Sequence, residues 1–219
     1  MSGLEDLYPF LGDQPADAGP VLAEVARSTR EKSREVNALR RALWARHAGD
    51  LATAAHLLAE AFAAGNKLLA FGNGGSATDA MDLVADLTMP ADPRWRPLPA
   101  LDLTRDVAML TAVGNDVGFE SVFVRQIIAC GLSGDVAVGF STSGSSANVV
   151  AAFAQAKRQR ISTIGFAGYD GGRMAQPGLL DALIVAPSSY IPRIQEAHAT
   201  AYHTLLCMMQ ALLQERDAA

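Results

Sequence analysis

Apolar runs of strand length alternate along this chain with longer stretches of helical periodicity. Leu68 to Phe71, Asp135 to Phe140 (DVAVGF), Ser162 to Ala167 and Ala182 to Ala186 are nearly unbroken apolar runs, as in strands buried on both faces, and Leu98 to Leu103 is a fifth, less regular one. Between them, the residues from about Ala77, Asp106 to Val113, Phe119 to Cys130 and Ala147 to Arg158 read as helices. Ile194 to about Gln214 predicts a long last one. One or two amphipathic helices over Val21 to Ala48 and an alanine-rich helix over Asp50 to Ala64, stopped at Gly65-Asn66, precede the first strand. Gly114-Asn115-Asp116 reads as a turn. The alternation predicts an α/β fold: a five-stranded parallel sheet flanked by helices, flavodoxin/Rossmann-like, with leading N-terminal helices. The organisation expected is an N-terminal arm over 1–19, rich in Pro and Gly, then N-terminal helices over 20–66 suited to oligomer packing, then a core over 67–216, all treated as a single domain.

Composition narrows the function classes. With 219 residues, half of them hydrophobic, the chain can bury a substantial core. A net charge of −5 and the lack of any Lys/Arg block argue against a nucleic-acid surface. The two cysteines, Cys130 and Cys207, stand far apart in no ligand spacing and read as reduced, mostly buried thiols. No apolar run approaches the roughly 20 residues that cross a bilayer, and MSGLEDLYPF lacks a basic segment followed by an apolar one. No membrane partner and a cytoplasmic location are expected.

Two loops carry the candidate chemistry. The first strand breaks into Gly72-Asn73-Gly74-Gly75, and Ser76 reads as the N-cap of the next helix, whose free N–H groups and dipole favour a phosphate. The second loop, Ser141-Thr142-Ser143-Gly144-Ser145-Ser146, is five hydroxyl residues and a glycine, again between a buried strand and a helix. Both loops should open on the carboxyl edge of the sheet, where ligands of open α/β sheets bind. Gly72, Gly74 and Ala77 also satisfy a dinucleotide fingerprint, but the acidic Asp102 stands farther along than its roughly 20 residues. A Gly-Lys-Ser/Thr ending is lacking too, so no nucleotide cofactor is expected.

GNGGSATDAM, AVGNDVGFESVF, GDVAVGFSTSGSSANV, the GYDGGRMA turn and RIQEAHATAYH occur in the family order of the SIS (sugar isomerase) domain. Within that family the chain resembles the phosphoheptose isomerases, which interconvert sedoheptulose 7-phosphate and a heptose 7-phosphate. The resemblance implies a SIS phosphosugar-binding core in which Ser76, Ser141, Thr142, Ser143 and Ser146 hold the phosphate. Asn73, Gly74 and Asp116 would contact the substrate. Gln195 and His203 match the family's active-site glutamine and histidine; eight residues apart, they lie about 80° apart around a helix. His198 lies about 140° from His203 and is a weaker candidate.

Four positions depart from the pattern of the family. A histidine and, four residues later, a glutamate that acts as base and in several members ligates zinc are here Asp82 and Asp86. Their spacing keeps both carboxylates on one helix face. The family's arginine after that helix falls at Pro90, and the aspartate before its glutamine at Pro192, with Arg94 or Arg96 as replacements for the lost charge. The resemblance implies isomerisation through an enediol with Asp86 as base and His203 as its acid/base partner. It also implies a divalent cation, zinc or a harder ion, on Asp82, Asp86, Gln195 and His203, and a homotetramer with sites between subunits. The alternative is a non-catalytic phosphosugar-binding SIS protein acting as a regulatory or structural partner.

Overall fold

The fold is that of a computed structural model that describes residues 18–217. The described residues fall into two compact units, one ending at Glu35 and one starting at Val36. Most of the expected N-terminal arm lies outside the described residues. Helix α1 (Ala18–Ala63) starts in the first unit, where Val21, Leu22 and Val25 are exposed and Arg27 is clamped between Glu24 and Glu31 at 2.6 and 2.7 Å. Helix α1 is two helices in sequence, since His47 has non-helical angles (φ −121°, ψ 17°) close to the break expected between Ala48 and Asp50.

The rest of the second unit is β1 (Leu68–Gly72), α2 (Gly75–Thr88), β2 (Ala100–Asp102), α3 (Val107–Asp116), α4 (Val122–Cys130), β3 (Val136–Ser141), α5 (Ala147–Arg158), β4 (Ser162–Gly168), β5 (Ala182–Ala186) and α6 (Ile191–Asp217). All five strands are parallel, in the order β2-β1-β3-β4-β5. Alternate residues of the central strands feed two cores, as a two-residue period requires. Leu68, Ala70, Val136, Val138 and Phe140 pack with α2, α6 and α1 from Leu39 onward. Leu69, Phe71 and Ala137 pack with α4 and α5 on the other face. Strand order reverses direction between β1 and β3, so the loops that follow these two strands flank the crevice where doubly wound sheets bind ligands.

Three expectations need correction. Helix α2 starts at Gly75, with Gly74 (φ 55°, ψ −124°) as its cap and Ser76 already inside the helix. A glycine at that angle makes the turn tight enough for Ser76 N–H to donate to Asn73 O and Ala77 N–H to Gly74 O, at 3.0 and 2.9 Å. Fewer donors are therefore free than a Ser76 cap would leave. Gly114 lies inside α3 rather than in a turn, because the helix continues to Asp116 and the cost of an interior glycine, about 1 kcal/mol, is small beside the burial of Val113. Both cysteines are exposed, Cys130 at the last position of α4 and Cys207 on the outer side of α6.

Candidate active site

The serine loop is held by its own hydroxyls. Ser141 Oγ lies 2.9 Å from Ser146 Oγ and 3.5 Å from Ser143 Oγ, and it accepts from Ser146 N–H at 3.4 Å. Gly144 (φ 62°) lies so close to Gly171 that a Cβ there would collide with the Gly171 carbonyl, and Met174 N–H donates to Gly144 O at 2.8 Å. The GYDGGRMA turn is thereby bolted to the loop. Across the crevice, Asn73 and Asn148 exchange two amide hydrogen bonds of 2.8 Å, which ties the glycine loop to the start of α5. Asn148, absent from the sequence-based site, sets the orientation of Asn73. Asn73, Gly74, Thr142, Ser143 and Ser146 therefore stand on the two loops that flank the crevice, with Ser76 in the first turn of α2 and Ser141 at the end of β3.

Helices α2 and α6 run side by side in the same direction. At one end the carboxamide of Gln195 lies directly over Gly75, where a Cβ would overlap its Nε2. At the other end His203 Nε2 stands 3.1 Å from Asp86 Oδ2, with side chains 57% and 38% exposed, so this pair is open to solvent and substrate. Asp86, His203, Asp92, Trp95, Leu206 and Cys207 line a cavity of about 400 Å³. Between the two ends lies Asp79, which the motif reading passed over. It is 7% exposed with Oδ2 unpartnered, and burial, reinforced by the charge of Asp82, raises its carboxyl to about 7. Asp79, Asp82 and Asp86 form an i, i+3, i+7 stripe, a signal present in the sequence, although the burial of its first member is a tertiary feature. His198 is fully buried beneath the loops, with Nε2 2.9 Å from Ala167 O, and burial lowers it to about 4.

Other expected groups stand elsewhere. Asp116 is exposed at the far end of α3 and accepts only from Asn115, at 2.7 Å, among the described residues. Arg94 is bound to Asp92, and Arg96 faces Asp217 at 3.7 Å, so neither replaces a charge in the cleft. Pro192 is the second residue of α6, where its missing N–H costs nothing. Among the described residues no three His, Cys, Asp or Glu side chains converge as a metal site requires. Asp86 and His203 supply two donors, and exposed Asp82 does not join them, so the donors as placed do not fit the divalent cation that the resemblance implies.

The SIS domain model matches residues 33–168, which include both loops and α2. The chain belongs to the SIS domain family. It is 42% identical over 171 residues to a phosphoheptose isomerase of Aquifex aeolicus, covering 78% of this chain and 88% of that protein. It is 47% identical over 163 residues to one of Geotalea daltonii, covering 74% and 84%. Among solved structures, phosphoheptose isomerase from Neisseria gonorrhoeae superposes with a TM-score of 0.75 at 36% identity, over 86% of this chain and 98% of that one. The enzyme from Francisella tularensis gives 0.77 at 28%, over 87% and 98%.

Proposed function

We propose that this protein is a phosphosugar aldose–ketose isomerase whose substrate is sedoheptulose 7-phosphate and whose product is a heptose 7-phosphate. The observation that carries the reading is the Asp86–His203 pair at 3.1 Å, held on the two helices that also bear Ser76 and Gln195. Asp86 removes the proton from the carbon beside the carbonyl, and the electron pair of that bond forms the carbon–carbon double bond of the enediolate. Asp86 then returns the proton to the neighbouring carbon, while His203 carries a proton from one oxygen to the other. Such acid–base assistance is worth about 100- to 10,000-fold. Gln195 orients the sugar, and the two loops bind its phosphate. Proton NMR of the protein with sedoheptulose 7-phosphate in heavy water tests the reading. Deuterium beside the carbonyl together with an aldose product supports it. Binding without exchange gives weight instead to a non-catalytic phosphosugar-binding protein.

A complete site combines two copies of the chain. Ser76 and Asp86 are ten residues apart on α2, a rise of about 15 Å, so one copy alone would complete the site only with both side chains and an extended sugar phosphate reaching along the helix. Exposed Val107, Met109, Val117 and Phe119 offer apolar surface for such assembly, and a homotetramer provides it. Mixing tests this directly: Ser146→Ala and Asp86→Ala proteins, each inactive alone, regain activity when co-assembled if each site draws on two copies. No helix among the described residues is long and apolar enough to cross a membrane. A phosphorylated sugar, too charged to cross one unaided, makes the cytoplasm the fitting location.

A further inference from the structure

His198 is wholly buried, with its ring among those of Phe140 and Phe166 (centroids 6.1 and 5.9 Å). Burial keeps the ring neutral, and a carbonyl can only accept, so the 2.9 Å contact with Ala167 O makes Nε2 the protonated nitrogen. Nδ1 is left with a lone pair that meets no donor among the described residues. Stability does not account for this arrangement. A buried acceptor without a donor costs at least as much as one hydrogen bond gains, and a methionine would fill the space with neither.

The bond lands where the phosphate loop is anchored. Ala167 pairs with Ser141, the first hydroxyl of that loop, in the β3–β4 register, and the next residue, Gly168, donates its N–H to Thr142 O at 2.9 Å. A Cβ on Gly168 would collide with both Thr142 O and the Ile194 side chain of α6. Gln195 comes next on α6, three residues before His198 or about 4.5 Å along the axis, with its carboxamide over Gly75. Ala197, Ala201 and Leu205 share an apolar core with Phe140 and Phe166, and apolar packing has no direction of its own. A buried hydrogen bond has one, and it fixes both the rotation and the height of the helix. We propose that His198 is a positioning residue of the isomerase, its bond to Ala167 seating α6 against the phosphate loop so that Gln195 is held in place for the sugar. This inference rests on the isomerase reading above. A misplacement near 1 Å in such a group lowers the rate about 100-fold.

His198→Gln keeps an N–H that reaches Ala167 O, and His198→Met matches its length without a donor. For His198→Met the expected result is a kcat lowered about 100-fold, with KM and the inhibition constant of inorganic phosphate within about threefold of the parent; His198→Gln should keep kcat within about threefold. In a Gln195→Ala background, His198→Met should change kcat by less than about threefold, because the group it displaces is gone. Parental kcat in His198→Met, an equal loss in His198→Gln or full additivity with Gln195→Ala overturns the proposal. So does a loss of phosphate affinity alongside kcat, which marks general disruption of the fold. A second readout needs no turnover: the side-chain amide NMR signals of Gln195, assigned by their loss in Gln195→Ala, should shift in His198→Met and hold in His198→Gln. Where the parent shows no turnover, the isomerase reading fails by itself and these signals decide His198. Signals that stay in place in His198→Met overturn the proposal in either case.

Discussion

Gly75→Ala separates folding from function at one atom. Gly75 is the first residue of α2 and has no positive φ, so alanine suits its backbone and gains about 0.5–1 kcal/mol of helix preference. The added Cβ would overlap Nε2 at the far end of the Gln195 side chain, an end free to swing away. The clash should therefore cost little stability and should displace the carboxamide by more than 1 Å. A misplacement of that size in a positioning group lowers the rate about 100-fold, or about 2.7 kcal/mol at 1.36 kcal/mol per factor of ten. Calorimetry and steady-state kinetics on sedoheptulose 7-phosphate should show a melting temperature at or above that of the parent and a kcat/KM about 100-fold lower. A double-mutant cycle makes the test specific. In a Gln195→Ala background the same Gly75→Ala change should be almost silent, because nothing remains over Gly75 to be moved. Parental kcat/KM in Gly75→Ala, or full additivity with Gln195→Ala, would refute the role given to this contact.

Other outcomes follow from the same geometry. Gly144→Ala places a Cβ against the Gly171 carbonyl backbone at φ 62°, so a loss of about 2 kcal/mol or more is expected in urea titrations. His198 is held near 4, below its ordinary 6.5, so the unfolded chain binds its proton first; stability falls as pH drops from about 6.5 to 4, by about 3 kcal/mol in all, and His198→Gln should flatten that part of the profile. Asp79 is raised to about 7, so its contribution is intact below about 4 and is lost as pH rises towards 7; Asp79→Asn should raise the melting temperature at pH 8 more than at pH 4. Chelator dialysis should leave activity unchanged, whereas Asp82→His, which puts a longer imidazole four residues before Asp86 on the same helix face, should create zinc uptake visible by metal analysis.

The strands could be read from the sequence because the central ones are buried on both faces: Leu68–Gly72 and, up to Phe140, Val136–Ser141 are apolar without interruption, and both are fully buried. The edge was harder. A run read as Leu98 to Leu103 pairs only over Ala100–Asp102, since Pro97 and Pro99 cannot donate to a ladder. Helix starts and glycine positions depend on single φ angles, so Gly74 displaced Ser76 as the cap of α2, and Gly114 stayed within α3. The exposure of Cys130 and Cys207 had no signal in their spacing, because it depends on which faces of α4 and α6 the two cores take up.

The site divides in the same physical way. Local chemistry marks the loops, where hydroxyls and glycines follow buried strands, and the structure brings those loops together at the β1/β3 switch point. What α2 and α6 do to one another is tertiary. Asp79 and Asp86 are equivalent acids on one helical face, yet Asp79 is buried, and burial lifts its carboxyl to about 7, while Asp86 stays partly exposed opposite His203. A methyl group added at Gly75 and a carboxylate removed at Asp86 thus probe the two ends of one helix pair. If both changes lower kcat without lowering the melting temperature, the α2–α6 seam is the reaction track; if neither does, the chemistry lies elsewhere and the loops alone define what this protein binds.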